Sequence, residues 1–141
     1  APKKIRDIVL ALDGGRFSEQ MIPYAAKAAH LLSARLTLIQ ALAIQSDRLP
    51  RSSHLPPDIL ESAYLQRKAA ELRMNGIDAQ WEVLHGEPAE AICRHLNGSS
   101  ETMLAMTTHA RSGLSSVLFG STAGACMRHA GVPLLLYWPH S

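Results

Sequence analysis

The residues of this chain best suited to chemistry lie between Met103 and Gly131. Gly120, Ser121 and Thr122 follow a polar loop and open the last helix-like stretch. Ser121 or Thr122 makes a good cap there, because its hydroxyl can accept a backbone N–H that the helix leaves without a partner. Gly131 can stop that helix, and Pro133 keeps it from continuing. A helix start points free amides outward and carries a partial positive charge, so it suits an anion such as phosphate. Gly113 and Gly120 would let the backbone curl close to the anion, Arg111 could add a cation and Ser121 a hydroxyl. The same residues equally suit an ordinary loop and helix cap that hold only water.

Two further groups could act beside such a site. Asp13 ends the first apolar run, at Asp13-Gly14-Gly15. It could hold Mg²⁺ through phosphates, since hard cations take oxygen ligands, or it could cap the turn, and the two readings stand level. A free imidazole titrates near neutrality, so His109 could pass a proton, although a loop histidine at the surface is the commoner state. His30, His54, His85, His95, His129 and His140 show no metal-ligand spacing. No set of residues resembles a committed water-activating constellation, so no catalytic residue and no metal site is assigned, and weak ATPase activity is the most that an enzyme reading would carry.

Stepping from these groups to what must hold them, short apolar runs alternate with helical periodicity. Residues 5–12 contain Ile8-Val9-Leu10-Ala11-Leu12, the near-continuous apolar pattern of a strand covered on both faces. Ser18 is placed to cap the next helix, where Met21, Ile22, Ala25, Ala29 and Leu32 recur at helical spacing and Pro23 falls in the tolerated first turn. Residues 36–42 read as the second strand. Ala43 to Pro57, with three prolines, reads as a long surface excursion or a lid, whose Arg48, Arg51 and His54 could reach a phosphate only by folding inward. Residues 58–74 predict a helix stopped by Asn75-Gly76, residues 77–84 a third strand, and Pro88 starts a helix with Ala89, Ile92, Cys93 and Leu96 as its apolar stripe. Met103 to Met106 is the fourth strand, Thr107 to Gly113 a loop, and Leu134 to Trp138 the fifth strand. Strands alternating with helices imply a parallel sheet with right-handed crossovers, and such sheets bind ligands beyond their carboxyl ends.

Composition bounds the possibilities. A chain of 141 residues suits a single domain, taken as residues 1–141, with one core. Net charge of +2 is too small to argue for nucleic acid, and Lys3, Lys4 and Arg6 make only a small, solvated basic cluster. No apolar run approaches the roughly 20 residues of a membrane helix, and no signal peptide is visible. Cys93 and Cys126 form no CxxC and read as small buried hydrophobes in a reducing cytosol, with a disulfide as the lesser alternative. The expected location is therefore cytoplasmic.

The stretch THARSGLSSVLFGS, followed by a helix ending RHAGVPLLL, resembles the C-terminal signature of the universal stress protein family. That signature is Gly-x-x-Gly, nine residues, then Gly-Ser or Gly-Thr. Thr107 and Ala110 stand at its first two glycines, the nine-residue gap from Arg111 to Phe119 is intact, and Gly120-Ser121 closes it. Members carrying the full motif bind ATP, and members lacking it often do not. The resemblance implies an open five-stranded parallel α/β sheet of order 3-2-1-4-5, an adenine nucleotide alpha hydrolase-like, Rossmann-like architecture with helices on both faces. The first and fourth strands are then neighbours, and Asp13 lies beside Thr107. The family's nucleotide would have Ala11, Leu12 and Asp13 against adenine and ribose and Ala41 walling the adenine side. Met106, Thr107, His109, Ala110, Gly120, Ser121 and Thr122 would surround ribose and phosphates, with Arg111 nearby. The cofactor implied is ATP or a related adenine nucleotide, with or without Mg²⁺. The family also pairs its fifth strands into a homodimer, which here would use Leu134 to Trp138. A poorer likeness links Asp13-Gly14-Gly15-Arg16-Phe17-Ser18 to the SGGxDS loop of ATP pyrophosphatases: Asp13 stands for the first serine and Phe17 for the aspartate. The functions implied are a nucleotide-binding signalling module of the stress response, or else a nucleotide-independent dimeric interaction protein with a vestigial cleft, or a slow ATPase.

Overall fold

A computed structural model describes residues 4–13, 15–42, 59–96, 101–107 and 132–137. In chain order the elements are β1 (Asp7–Leu12), α1 (Arg16–Glu19), α2 (Ile22–Leu32), β2 (Arg35–Leu42), α3 (Ile59–Met74), β3 (Ala79–His85), α4 (Pro88–Leu96), β4 (Thr102–Thr107) and β5 (Leu134–Tyr137). The five strands form one sheet in the order β3-β2-β1-β4-β5, and every pair of neighbours is parallel. This is the architecture expected from the sequence.

The sheet is sandwiched. Alternate strand residues point to opposite faces, and the core divides accordingly. On one face Ile8, Leu10 and Leu12 of β1 and Leu36 and Leu38 of β2 pack with Ala25 and Ala29 of α2 and Leu65, Ala69 and Leu72 of α3. On the other, Val9, Ala11, Ile39, Leu104 and Met106 pack with Ile92 and Leu96 of α4. Burial on both faces explains why β1 reads as an unbroken apolar run rather than an alternating one. Each fully buried Leu or Ile contributes on the order of 2 kcal/mol through apolar area removed from water.

Local signals fix the ends of the helices. Gly76, at φ 84°, takes the left-handed turn that ends α3, and the Ile77 N–H reaches back to the Leu72 carbonyl. Ser33 closes α2 in the same left-handed region, at φ 53°. Pro88 opens α4, and the Glu87 carboxylate accepts the Glu90 N–H at 2.9 Å, in place of a Ser or Thr cap.

Three differences from the sequence reading stand out. The expected first helix is two elements, the single turn α1 and then α2, whose cap residue Met21 makes no side-chain cap bond. Ser18 lies inside α1 and caps nothing; its hydroxyl turns back toward Asp13. Cys93 is buried but disulfide-bonded, so the free-thiol reading does not hold, and the cysteine argument for a reducing compartment goes with it. The chain's other cysteine, Cys126, lies outside the described residues, as do the 43–57 excursion and the last expected helix. Among the described residues no helix is long and apolar enough to cross a membrane.

Candidate functional site

The strand order reverses between β1 and β4, since the chain builds outward from β1 through β2 and β3 and then crosses to β4 and β5. Crossovers on either side of such a point leave in opposite directions and open a crevice at the carboxyl ends of the strands. Leu10 of β1 lies opposite Ala105 of β4; two residues on, β1 ends at Leu12 and β4 at Thr107. On the other side Leu12 is level with Gln40 of β2, next to Ala41.

Asp13 leaves β1 at this rim and is exposed. Its Oδ1 accepts the Gly15 N–H at 2.8 Å and the Ser18 hydroxyl at 2.7 Å, while its own N–H reaches Ser18 Oγ at 3.2 Å. Ser18 is fully buried, and its single hydroxyl proton is shared between Asp13 Oδ1 and the Gly15 carbonyl at 3.0 Å. The capping reading of Asp13 is therefore met. A carboxylate on the rim carries negative charge as well, which suits donors such as a ribose hydroxyl or an adenine amino group better than bare phosphate.

The remaining expected residues divide by face. Ala11 and Met106 are buried against α4, and Leu12 is buried against α2 and α3, so each has only its backbone to offer a ligand at the rim. Ala41 is half-buried. Thr107 is fully buried, and among the described residues its Oγ1 has no hydrogen-bond partner; the same holds for Oε1 of Gln40. His109, Ala110, Arg111, Gly120, Ser121 and Thr122 lie outside the described residues. Among the described residues no group of three or more His, Cys, Asp or Glu side chains could hold a metal ion.

Sequence reasoning missed the partners of Asp13. Ser18, five residues on, completes the turn, and next to it Glu19 accepts the Tyr64 hydroxyl from α3 at 2.6 Å. Asp13 followed by two glycines, with Ser18 five residues on, was a visible signal for the first contact. Nothing local signals the second, which spans 45 positions.

With this geometry in view, the comparisons place the chain. The model of the universal stress protein family matches residues 4–137, and the chain belongs to that family. No curated protein matches the sequence. Among solved structures, a universal stress protein in complex with cAMP superposes with a TM-score of 0.70 at 18% identity, covering 98% of this chain and 100% of the other. A universal stress protein family member from Burkholderia pseudomallei superposes with a TM-score of 0.64 at 20% identity, covering 99% and 100%. The Archaeoglobus fulgidus protein in complex with dAMP gives 0.62 at 18% identity, covering 94% and 96%. At such identities these likenesses speak for the fold.

Proposed function

We propose that this chain binds an adenine nucleotide, ATP or a close relative, across the β1–β4 switch point and uses the bound state as a stress-response signal rather than for fast turnover. The observation that carries the reading is the exposed Asp13 carboxylate at the end of β1, beside the end of β4. Two fold neighbours, those in complex with cAMP and dAMP, hold adenine nucleotides.

The assigned residues would divide the ligand between them. Asp13 would take donors from ribose or base, and backbone groups of Ala11, Leu12 and Ala41 would edge the adenine. Thr107 Oγ1, without a partner among the described residues, could donate to a nucleotide oxygen. By the family motif, the phosphates would fall to Ala110, Arg111, Gly120, Ser121 and Thr122, with His109, residue types whose amides and guanidinium would suit an anion. Mg²⁺, if present, would ride on the phosphates and offset the charge of Asp13.

A second reading has its own observation. Thr107 is fully buried and Ala110 replaces a motif glycine, which favours a nucleotide-independent interaction protein. In either case β5 is an edge strand whose Leu134 is 41% exposed. Unpaired edge strands invite pairing, and a homodimer through Leu134 to Trp138 is the expected assembly.

Calorimetric titration with ATP and Mg²⁺, AMP and cAMP separates the readings. The nucleotide reading expects saturable heat with one site per chain, weakened in Gly120→Val. No heat and no thermal shift at millimolar nucleotide would leave the interaction protein. Phosphate release that disappears in Asp13→Ala would instead point to a slow ATPase.

A further inference from the structure

We infer that Glu19, gripped by Tyr64 and Lys68 of α3, is a positioning residue that fixes the Asp13 turn, so that α3 governs how Asp13 is presented to a ligand. Its bearing on affinity rests on the nucleotide reading above; its bearing on the turn does not.

The connection is continuous. The Tyr64 hydroxyl donates to Glu19 Oε1 at 2.6 Å, in the range of charge-assisted O–H···O⁻ bonds. Lys68 Nζ lies 3.6 Å from the same oxygen and 4.0 Å from Glu71. One residue before Glu19, the buried Ser18 donates to Asp13 Oδ1 at 2.7 Å and takes the Asp13 N–H at 3.2 Å. Ser18 and Glu19 thus join Asp13 to α3 through two adjacent residues of α1.

The single turn α1 needs such an anchor. Four residues are far too few for a helix to hold itself in water. Its backbone bonds are long as well, 3.2 Å from the Glu19 N–H to the Gly15 carbonyl and 3.3 Å from the Gln20 N–H to the Arg16 carbonyl. The anchor, by contrast, is firm. Tyr64 and Lys68 flank Leu65 and Ala69, both fully buried in the core. Arg67 and Lys68 also lie over the Tyr64 ring, each 5.8 Å from its centroid, which adds a modest cation–π attraction.

A purely structural bond would lower global stability and nothing else, so the test reads the turn itself. Amide exchange of ligand-free protein is measured in Tyr64→Phe, Glu19→Ala and Glu19→Gln. Exchange at Asp13, Glu19, Gln20 and Met21 is expected to quicken about tenfold in the first two, with the central amides of β1 and β2 unchanged. Glu19→Gln keeps an acceptor for the phenol and is expected to stay near wild type. Unaltered exchange in Tyr64→Phe, or a uniform rise throughout the protein, would overturn the inference. In parallel, titration with ATP and AMP is expected to show affinity about tenfold lower in Tyr64→Phe and Glu19→Ala but not in Glu19→Gln. Wild-type affinity in Tyr64→Phe would overturn the control of binding. Wild-type protein that binds neither nucleotide would sink the nucleotide reading alone, while the exchange rates still decide the turn.

Discussion

Tyr64 holds its proton well above the usual phenol range. Burial is the main cause, followed by the hydrogen bond to Glu19 and the negative charges of Glu19 and Asp13, with Arg67 opposing. The sign of the consequence follows from proton counting. Above about pH 10 the unfolded chain loses this proton while the folded chain keeps it. The folded state then binds more protons, so stability falls as pH rises. Denaturation midpoints followed from about pH 8 to about pH 11 are expected to fall less steeply in Tyr64→Phe than in wild type. An identical alkaline loss in the two proteins would show that the phenol is not held this way. At this scale the sequence was legible only in part. Asp13 was recognisable as a strand-end carboxylate because two glycines follow it. Its partners were not, because Tyr64 is remote in sequence, and because Ser18 at a helix start suggests a cap when its hydroxyl in fact points back across the turn.

At the scale of elements, the strands announced themselves where both faces are covered and hid where they are not. Ile8 to Leu12 is unmistakable, whereas Asp7 and Thr102 belong to strands only because the neighbouring register recruits them. Thr37 donates to Asp7 at 3.0 Å, supporting a polar strand end that composition would have assigned to a loop. α3 illustrates the opposite difficulty. It buries Leu65, Ala69 and Leu72 yet exposes Leu60 at 78% and Met74 at 87%, so apolar residues lie on both of its sides and blur the periodicity. The disulfide at Cys93 was the lesser of two readings, because two cysteines without a CxxC pattern look the same in sequence whether they are buried as free thiols or paired by the fold. The turn between β3 and α4 gives this scale its prediction. Gly86 sits at φ 131°, and an added Cβ would come within 2.8 Å of Arg94 Nη2. The arginine end can swing aside, but the backbone angle is nearly reserved for glycine. Gly86→Ala is expected to cost about 1–3 kcal/mol, read from chemical denaturation; a change below about 0.5 kcal/mol would mean the turn relaxes freely.

For the whole molecule, one topological fact organises the rest. Placing β1 between β2 and β4 brings the end of β1 against a strand begun about 90 residues later, so residues remote in the chain share one rim. Alternation of strands and helices made the parallel sheet legible from the sequence, and the order of its strands followed from the motif that ends in Gly120-Ser121 rather than from periodicity. The same order leaves β5 at an edge. Light scattering at micromolar concentration is expected to give the mass of a dimer, and a proline replacing Leu135 is expected to shift it toward the monomer; a wild-type monomer would contradict pairing through this strand.

The claim that matters most is where a ligand sits, and backbone amide NMR of labelled protein titrated with ATP tests it directly. The account predicts saturable shifts at Ala11 to Asp13, Ala41 and Met106 to Thr107, clustered at the carboxyl ends of β1, β2 and β4. Shifts confined to the opposite end of the sheet, or no shifts at millimolar nucleotide, would contradict it.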